Sequence, residues 1–284
     1  MQTPDRLADS RVAIVGLGLM GGSLALALGK HCRDLLGIDR DPEVIEQAVS
    51  KGVVQRGSTD PARILAQADL IVLAAPVRSI LQILAELPDL HPGNPVILDL
   101  ASTKRQIVQS MAALPTRFEP VGGHPMCGKE KTGLSNADSK LYQNTPFALV
   151  SLPSTTPRAR HLAEELVEVV GAKPLWLEAD CHDRWVAATS HLPYLLSSAL
   201  ALATPEDSRP LVGPGFRSAS RLAATSPTVM LDILRTNSDE LLSALNRLGS
   251  ELQNLKQLVQ QEEWDVLSGY LAEAAAHRKL LSGE

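Results

Sequence analysis

Residues 11–39 constrain the fold most strongly, because their pattern predicts a strand, a glycine loop, a helix and a second strand that ends on an acid. The apolar run 11–15 stops at Gly16, and residues 16–21 follow the spacing Gly-x-Gly-x-x-Gly. Asp39 closes the second strand, 21 positions after Gly18. A glycine triplet alone is weak evidence. Between a strand and a helix, with an acid at this distance, it predicts a dinucleotide-binding site.

Each glycine of the loop has a predicted role. Gly16 makes the tight turn, Gly18 lets a pyrophosphate approach the backbone, and Gly21 allows the helix and the strand to pack closely. The following helix, predicted over residues 23–29, offers backbone amides and the positive end of its dipole to an anion. The predicted cofactor-binding residues of this loop are Gly16, Gly18, Leu19, Met20 and Gly21.

Two neighbouring residues bear on the identity of the cofactor. Asp39 can accept hydrogen bonds from both ribose hydroxyls, which favours NAD, whereas Arg40 can contact a 2′-phosphate, which favours NADP. A carboxylate beside a phosphate dianion is repulsive, so the pair favours NAD. Both NAD and NADP remain open at this point.

Composition excludes several classes of protein. The 284 residues are enough for two domains, and 44% hydrophobic and 21% charged residues are ordinary for a globular protein. A net charge of −5 and only 3% aromatic residues argue against a nucleic-acid partner. The three cysteines, Cys32, Cys127 and Cys181, form no C-x-x-C pair. This spacing favours a reducing compartment and argues against a zinc site.

The charge-free stretch Val12–Gly29 has the length of a membrane span, but five of its 18 residues are glycine and it divides into a strand and a helix. We therefore expect no membrane contact. The N-terminus lacks the basic start and apolar core of a signal peptide, so a cytoplasmic location is expected.

Beyond Asp39 the patterns of strands and helices keep alternating, which predicts a doubly wound, parallel α/β sheet of the Rossmann type. Strands are predicted at 70–75, 96–100, 147–150 and 175–177. Helices are predicted at 41–51, 60–67, 78–86, from Thr103 with Gln106 at capping-box spacing, and at 157–170. We place the domain boundary near residue 179, giving a dinucleotide-binding domain at 1–179 and an all-helical domain at 180–284.

The helical domain carries long apolar stripes. A helical pattern over 183–202 is interrupted by Pro193, which predicts a kink, and residues 205–215 form a loop rich in proline and glycine. Leucines recur at helical spacing over 239–261, and a second helix is predicted over 264–280. The apolar surface of these stripes is larger than two isolated helices can bury against each other. We therefore expect a homodimer formed through this domain. Burial against the first domain is the alternative.

Three candidates for chemistry follow predicted strands, where ligands bind in open α/β sheets. Ala75 and Pro76 end one strand, where their backbone can face the cofactor, and Ser102 follows another. His124 follows a short extended segment and precedes Pro125, which biases it towards an extended backbone. Removing the proton of an alcohol while hydride leaves its carbon requires a base such as histidine. His182 and His191, on a helix, are interpreted as structural.

Four further motifs resemble those of the prephenate and arogenate dehydrogenase family. They occur in the family's order, and together with the glycine loop they extend the resemblance from Gly16 to about Pro227. The motifs are Gly122-Gly-His-Pro-Met-Cys-Gly128 with Glu130 and Gly133, Asp99-Leu-Ala-Ser-Thr-Lys104, Ser190-His-Leu-Pro193, and Gly215-Phe-Arg-Ser-Ala-Ser-Arg221 followed by Ser226-Pro227.

The resemblance implies a role for each matching residue. His124 would accept the proton of the ring hydroxyl while hydride leaves the same carbon for the nicotinamide, and carbon dioxide would leave the opposite ring position. Ser102 would hydrogen-bond to the histidine. Arg221 would bind a carboxylate of the substrate, a cyclohexadiene carboxylate.

The substrate is where the chain departs from the prephenate pattern. Many prephenate-specific members carry a second histidine three positions after the one in the Ser-His-Leu-Pro motif, and Tyr194 occupies that position here. Arogenate carries an ammonium group that Glu130 is suited to bind, although a solvated charge or an ion pair with Arg221 is an equal alternative. The sequence therefore favours arogenate, with prephenate as the alternative substrate.

Two readings outside this family remain. The first is another two-domain dehydrogenase, such as a β-hydroxyacid dehydrogenase or an imine reductase, which typically places a lysine or other donor on the helical domain. The second is a dinucleotide-sensing regulator without turnover, which requires the grouping of Ser102, His124 and Arg221 to be accidental.

Overall fold

A computed structural model describes residues 4–129 and 131–283. Glu130, the predicted contact for an ammonium group, lies outside the described residues. The described chain contains an eight-stranded sheet in the order β3-β2-β1-β4-β5-β6-β7-β8. Its strands are β1 Arg11–Val15, β2 Asp34–Ile38, β3 Arg56–Ser58, β4 Leu70–Leu73, β5 Val96–Asp99, β6 Glu119–Pro125, β7 Pro146–Ser151 and β8 Lys173–Trp176.

The strand order confirms the predicted Rossmann-type architecture. β1 pairs in parallel with β2 on one side and with β4 on the other, so the chain reverses its direction of winding at β1. Ligands bind at such switch points in open α/β sheets. One pairing departs from the expected parallel sheet, because β7 runs antiparallel to β6.

The central strands of the sheet are buried on both faces. Along β1, Val12 and Ile14 pack into one hydrophobic cluster, while Ala13 and Val15 pack into the cluster on the opposite face. Continuous apolar strands are typical of parallel sheets covered by helices on both sides. The edge strands β3 and β8 are the more exposed part of the sheet.

The helices are α1 Leu19–Leu28, α2 Pro42–Ser50, α3 Ala62–Leu65, α4 Val77–Leu90, α5 Arg105–Ala112, α6 Pro157–Val169, α7 Ala179–Val186, α8 Leu192–Ala203, α9 Pro214–Ala219, α10 Pro227–Thr236, α11 Ser238–Gln260 and α12 Trp264–Ser282. Two of them differ from the sequence prediction in an informative way. α1 begins at Leu19 rather than at residue 23, directly after Gly18. A π-helical turn, Ala187–His191, joins α7 to α8. It lies just before Pro193, which has no backbone N–H to donate to the preceding turn.

The predicted capping box at Thr103 and Gln106 is wrong. The carboxylate of Asp183, on α7, accepts hydrogen bonds from the backbone amides of Lys104 at 2.7 Å and Arg105 at 2.9 Å. The Thr103 hydroxyl instead contacts the Thr236 hydroxyl at 2.9 Å. A side chain from a distant element therefore caps α5, which a local motif cannot reveal.

The chain divides into two compact units, Met1–Asn237 and Ser238–Glu284. Within the second unit, α11 and α12 pack on each other, and Tyr270 donates a hydrogen bond to Glu251 at 2.7 Å. Leu242, Leu252 and Trp264 are exposed in this unit. The boundary predicted near residue 179 stays a prediction.

One described stretch, Ala179–Ala203, is long and apolar enough by length and composition to cross a membrane. It contains the π-helical turn and is not the stretch considered from the sequence, Val12–Gly29, which forms β1, the glycine loop and α1. Core helices of soluble proteins reach the same length and hydropathy. Absence of membrane contact stays a prediction.

Candidate active site

The glycine loop after β1 has the geometry of an anion-binding turn. Gly16 has a φ of +94°, and a Cβ atom there would lie 2.5 Å from the carbonyl oxygen of Ala74. A Cβ on Gly21 would lie 1.8 Å from the carbonyl oxygen of Gly16, so both positions exclude a side chain. At Gly18 a Cβ would meet nothing within 4 Å. The space above Gly18, at the N-terminus of α1, is therefore open to a pyrophosphate.

Asp39 is held at the end of β2 by the backbone. Its carboxylate accepts hydrogen bonds from the amides of Leu17 at 2.8 Å and Asp41 at 3.1 Å. Together with Arg40, Asp39 lines a cleft of about 410 Å³ that Ala75 and Pro76 line as well. This cleft has the size and the acidic residue expected for the adenosine end of a dinucleotide.

Two further clefts continue from this one along the strand ends. The middle cleft, of about 330 Å³, shares Gly18, Ala75 and Pro76 with the first and is also lined by Leu19, Met20 and Ser102. The third, of about 360 Å³, shares Ser102 with the middle cleft and is lined by His124, Ser190, His191 and Arg221. The structure thus brings the predicted cofactor-binding residues, apart from the buried Gly21, and His124 to clefts of the first unit that share lining residues.

His124 lies on β6, opposite Ala148 of β7, and its residue surface is 9% exposed. Its ring nitrogen Nδ1 is 2.8 Å from Nε2 of His182 on α7. The two rings meet edge to face, with centroids 5.0 Å apart. Nε2 of His124 has no hydrogen-bond partner within residues 4–129 and 131–283.

His182 connects His124 to a buried carboxylate, which the sequence analysis missed. Its Nδ1 is 2.8 Å from Oδ1 of Asp183, and both residues are buried. The adjacent His-Asp pair was the only signal in the sequence, and nothing in its spacing connects it with His124. His191 is also buried, and its Nδ1 lies 3.4 Å from Nδ2 of Asn237.

The surroundings of His124 favour its neutral form. Burial lowers the pKa of this imidazole well below its usual value of 6.5, and His182, Lys104 and His191 lower it further. Burial likewise lowers the pKa of His191 to about 4. A neutral imidazole at the cleft can accept a proton.

A buried ion pair supports the backbone beside His124. Lys104 pairs with Asp99 at the end of β5 and donates a second hydrogen bond to the carbonyl of Gly123 at 2.6 Å. Asp99 in turn accepts from the amides of Gly123 at 2.9 Å and Ala101 at 2.9 Å. The Asp-x-x-Ser-x-Lys motif thus fixes the strand position next to the histidine.

The structure places the other predicted residues as follows. Ser102 and Arg221 line the same cleft as His124, although Nδ1 of His124 contacts His182 rather than the serine. Tyr194 lies half-buried on α8. Their roles stay predictions. Within the described ranges, no group of three or more His, Cys, Asp or Glu side chains is arranged to hold a metal ion.

Comparison with known proteins identifies the family. Two family models match: the nucleotide-binding domain of prephenate dehydrogenase over residues 24–175 and its dimerization domain over residues 178–273. The chain belongs to the prephenate dehydrogenase family. This match confirms the predicted dehydrogenase class and the use of NAD or NADP, and it removes the β-hydroxyacid dehydrogenase, imine reductase and regulator alternatives.

The chain is also similar to individual proteins whose names place them in this family. The prephenate dehydrogenase of Bacillus subtilis (strain 168) is 31% identical over 279 residues, which cover 94% of this chain and 75% of that protein. A crystal structure of prephenate dehydrogenase from A. aeolicus, in complex with hydroxyphenyl propionate and NAD+, has a TM-score of 0.89 and 30% identity, with 97% of this chain and 99% of that chain covered. Synechocystis arogenate dehydrogenase has a TM-score of 0.82 and 30% identity, with 95% and 99% covered.

Replacement of Gly18 by valine tests the cofactor site of this family member. We expect Gly18→Val to raise the dissociation constant for NAD(P)+ by about tenfold to a hundredfold, as loss of one or two hydrogen bonds to a charged group predicts. Isothermal titration calorimetry gives the constant. The open surroundings of Gly18 predict an unchanged melting temperature, whereas Gly21→Val should unfold the domain. Gly249→Val, at an open position on α11, is the matched control. Unchanged cofactor affinity in Gly18→Val would contradict the assignment.

Proposed function

We propose that this protein catalyses the NAD(P)-dependent oxidative decarboxylation of a cyclohexadiene carboxylate, with arogenate as the preferred substrate and tyrosine as the product. The observation that carries the proposal is the position of His124, which lines a cleft continuous with the cleft over Gly18. A base beside the reactive end of a dinucleotide is what oxidation of a ring alcohol requires.

The glycine loop and Asp39 fit the cofactor. The open space over Gly18 admits the pyrophosphate at the N-terminus of α1, where no side chain caps the helix. Asp39 and Arg40 line the cleft for the adenosine end. When bound, NAD(P)+ supplies the hydride acceptor.

His124 accepts the proton of the ring hydroxyl in this proposal. Its neutral imidazole offers Nε2 to the cleft, and it takes the proton as hydride leaves the carbon that bears the hydroxyl. Loss of carbon dioxide from the opposite ring position yields an aromatic ring, which makes the reaction effectively irreversible. A positioned base of this kind contributes about 10²- to 10⁴-fold to the rate.

Arg221 and Ser102 orient the substrate. The guanidinium of Arg221 suits a carboxylate, because its planar donors match the two carboxylate oxygens. Ser102, on the border between the middle and the third cleft, is placed to hydrogen-bond to the substrate hydroxyl or to His124. Arg221 therefore favours a substrate that carries a carboxylate, and Ser102 orients the ring of that substrate.

Tyr194 supports arogenate over prephenate. It occupies the position where many prephenate-specific members carry a histidine, and Glu130 is the proposed partner of the arogenate ammonium group. Among the relatives, Synechocystis arogenate dehydrogenase is as identical to this chain, at 30%, as the A. aeolicus prephenate dehydrogenase. Prephenate, converted to 4-hydroxyphenylpyruvate, remains the second candidate, since most of the relatives' names specify it.

Asp39 supports NAD over NADP. Its carboxylate is fixed by two backbone amides at the cleft, where it can accept hydrogen bonds from the ribose hydroxyls but repels a 2′-phosphate. Arg40, exposed next to it, keeps NADP as the second candidate.

One kinetic matrix tests these choices: arogenate and prephenate, each with NAD+ and NADP+, followed by the absorbance of the reduced nicotinamide. We expect the highest kcat/KM with arogenate and NAD+. A preference for prephenate above about tenfold, or 1.4 kcal/mol in transition-state binding, would reject the choice of arogenate. Absence of turnover with all four pairs would reject the function itself. The variant Tyr194→His should shift the ratio towards prephenate.

The assembly and the location of the protein complete the proposal. We propose a homodimer formed through the helical domain, because Leu242, Leu252 and Trp264 are exposed in the single chain and a dimerization-domain model matches residues 178–273. We further propose a cytoplasmic location, with no nucleic-acid or membrane partner. Light scattering in solution gives the mass of the assembly.

A further inference from the structure

The hydrogen-bond chain behind His124 ends on a carboxylate that can only accept. Asp183 receives the backbone amides of Lys104 at 2.7 Å and Arg105 at 2.9 Å, and amides are donors only. Its side chain is fully buried, and although desolvation opposes ionisation, these amides and His182 together lower the pKa of the carboxyl group. Asp183 therefore presents an ionised acceptor to His182.

This acceptor determines the proton positions along the chain. His182 must carry its proton on Nδ1 in order to donate to Asp183 over 2.8 Å. When Nδ1 carries the only ring proton of His182, its Nε2 has a lone pair, and His124 donates to it from Nδ1, again over 2.8 Å. The remaining nitrogen of His124, Nε2, is left unprotonated towards the cleft.

We propose that His182, anchored by Asp183, is a positioning residue that holds His124 in its Nδ1–H tautomer and so makes Nε2 the basic atom. The catalytic consequence rests on the proposed function, because it requires His124 to be the base. No other described side chain hydrogen-bonds to Nδ1 of His124. Lys104 and His191 also face the ring, but Lys104 donates to Asp99 and Gly123, and His191 lies beside Asn237.

The tautomer matters because only one form of neutral His124 can accept the substrate proton. Without an acceptor at Nδ1, either nitrogen can carry the proton, and a ring protonated at Nε2 is a donor towards the cleft. An acceptor at Nδ1 also fixes the rotation of the ring. His182 thus acts through His124 and touches neither substrate nor cofactor.

The first test reads the tautomer directly. Long-range ¹H–¹⁵N spectra of the full chain, labelled at histidine and recorded near neutral pH without substrate, should show His124 Nε2 as a pyridine-type nitrogen and Nδ1 as a pyrrole-type nitrogen. In His182→Leu we expect a mixture of both forms. A proton on Nε2 in the unmodified protein would overturn the proposal. This readout requires no turnover, so it separates failure of the inference from failure of the proposed function.

The second test compares two replacements at the same position. His182→Gln can place its amide NH2 towards Asp183 and its oxygen towards His124, which preserves an acceptor, whereas His182→Leu removes it. We expect His182→Leu to lower kcat by about a hundredfold, at the lower end of general-base contributions, and His182→Gln to retain kcat within about tenfold of normal. KM for the substrate should remain unchanged in both, since neither contacts it.

His91 provides the matched control. It is also buried, with Nε2 2.9 Å from the Ala68 carbonyl and Nδ1 accepting a hydrogen bond from the Gly93 amide at 3.0 Å. His91→Leu and His91→Gln should lower the melting temperature without changing kcat or the tautomer of His124. Equal losses of kcat in His182→Leu and His182→Gln, or a loss in His91→Leu matching that of His182→Leu, would show a merely structural role and overturn the proposal.

Discussion

His124→Asn should lower kcat by about 10²- to 10⁴-fold, the contribution of a positioned general base, while the affinity for NAD(P)+ is retained. Asparagine fills most of the space of the imidazole but cannot accept a proton at neutral pH. The predicted cofactor-binding residues lie in the loop after β1, at the start of α1 and just after β2 and β4, whereas His124 lies on β6. Initial rates of nicotinamide reduction and calorimetric titration of the cofactor measure the two quantities. A variant with a near-normal rate would remove His124 from the chemistry, and His91→Asn is the control for loss of a buried imidazole.

The lowered pKa of His124 also leads to a prediction for kcat/KM at acidic pH. Burial lowers the pKa of His124 well below 6.5, and the reaction requires the neutral form. kcat/KM should therefore stay on its plateau as the pH falls to 6.5 and decline only below it. A decline that begins above pH 6.5 would contradict this assignment. The profile of His182→Leu, measured in parallel, shows how far the neighbouring ring contributes.

Asp99→Asn should destabilise the protein by about 3–5 kcal/mol, because it leaves the ammonium group of Lys104 buried without its counter-ion. Both side chains of this pair are fully buried, and Lys104 is held between β5 and β6. Urea unfolding, followed by circular dichroism, gives the free energy of unfolding. The loss should extend to kcat, since the pair fixes Gly123 next to His124.

Two controls define this second prediction. The double variant Asp99→Asn with Lys104→Met removes both charges, and it should recover part of the lost stability because a buried ion pair replaced by uncharged groups is often near neutral. Lys129→Met breaks an exposed pair with Asp138, at 2.9 Å, and should leave the free energy of unfolding nearly unchanged, because solvent screens exposed charges. A double variant less stable than the single one would show that Lys104 contributes more than its charge.

The strand, the glycine turn and the place of the acid in the candidate cofactor site were predictable because their determinants are local. Within residues 16–39 the turn at Gly16 and the strand end at Asp39 follow from residue spacing, whereas the helix begins four residues earlier than predicted. His124 was predictable for a related reason, since it ends a strand of the sheet. For the glycine turn, Asp39 and His124, the local sequence is therefore enough to predict a position at the end of a strand.

The support of His124 was not predictable, because it depends on tertiary contacts. His182 is 58 positions away along the chain, and its helix meets β6 only in the folded unit. Asp183 caps α5 from 79 positions beyond Lys104, in place of the expected Thr103. An isolated histidine on a helix has the same local signature whether it is structural or connected to a base, so the two cases separate only in three dimensions.

The π-helical turn at Ala187–His191 makes the length of this segment as important as its composition. A regular α-helix rotates by about 100° per residue, since it has about 3.6 residues per turn. A chain one residue shorter here would carry His191 and the Pro193 bend to another side of the helix relative to His182. Point substitutions on the outer surface of this turn should be better tolerated than any deletion, which would move His191, a residue of the cleft lining, away from its present place relative to His182.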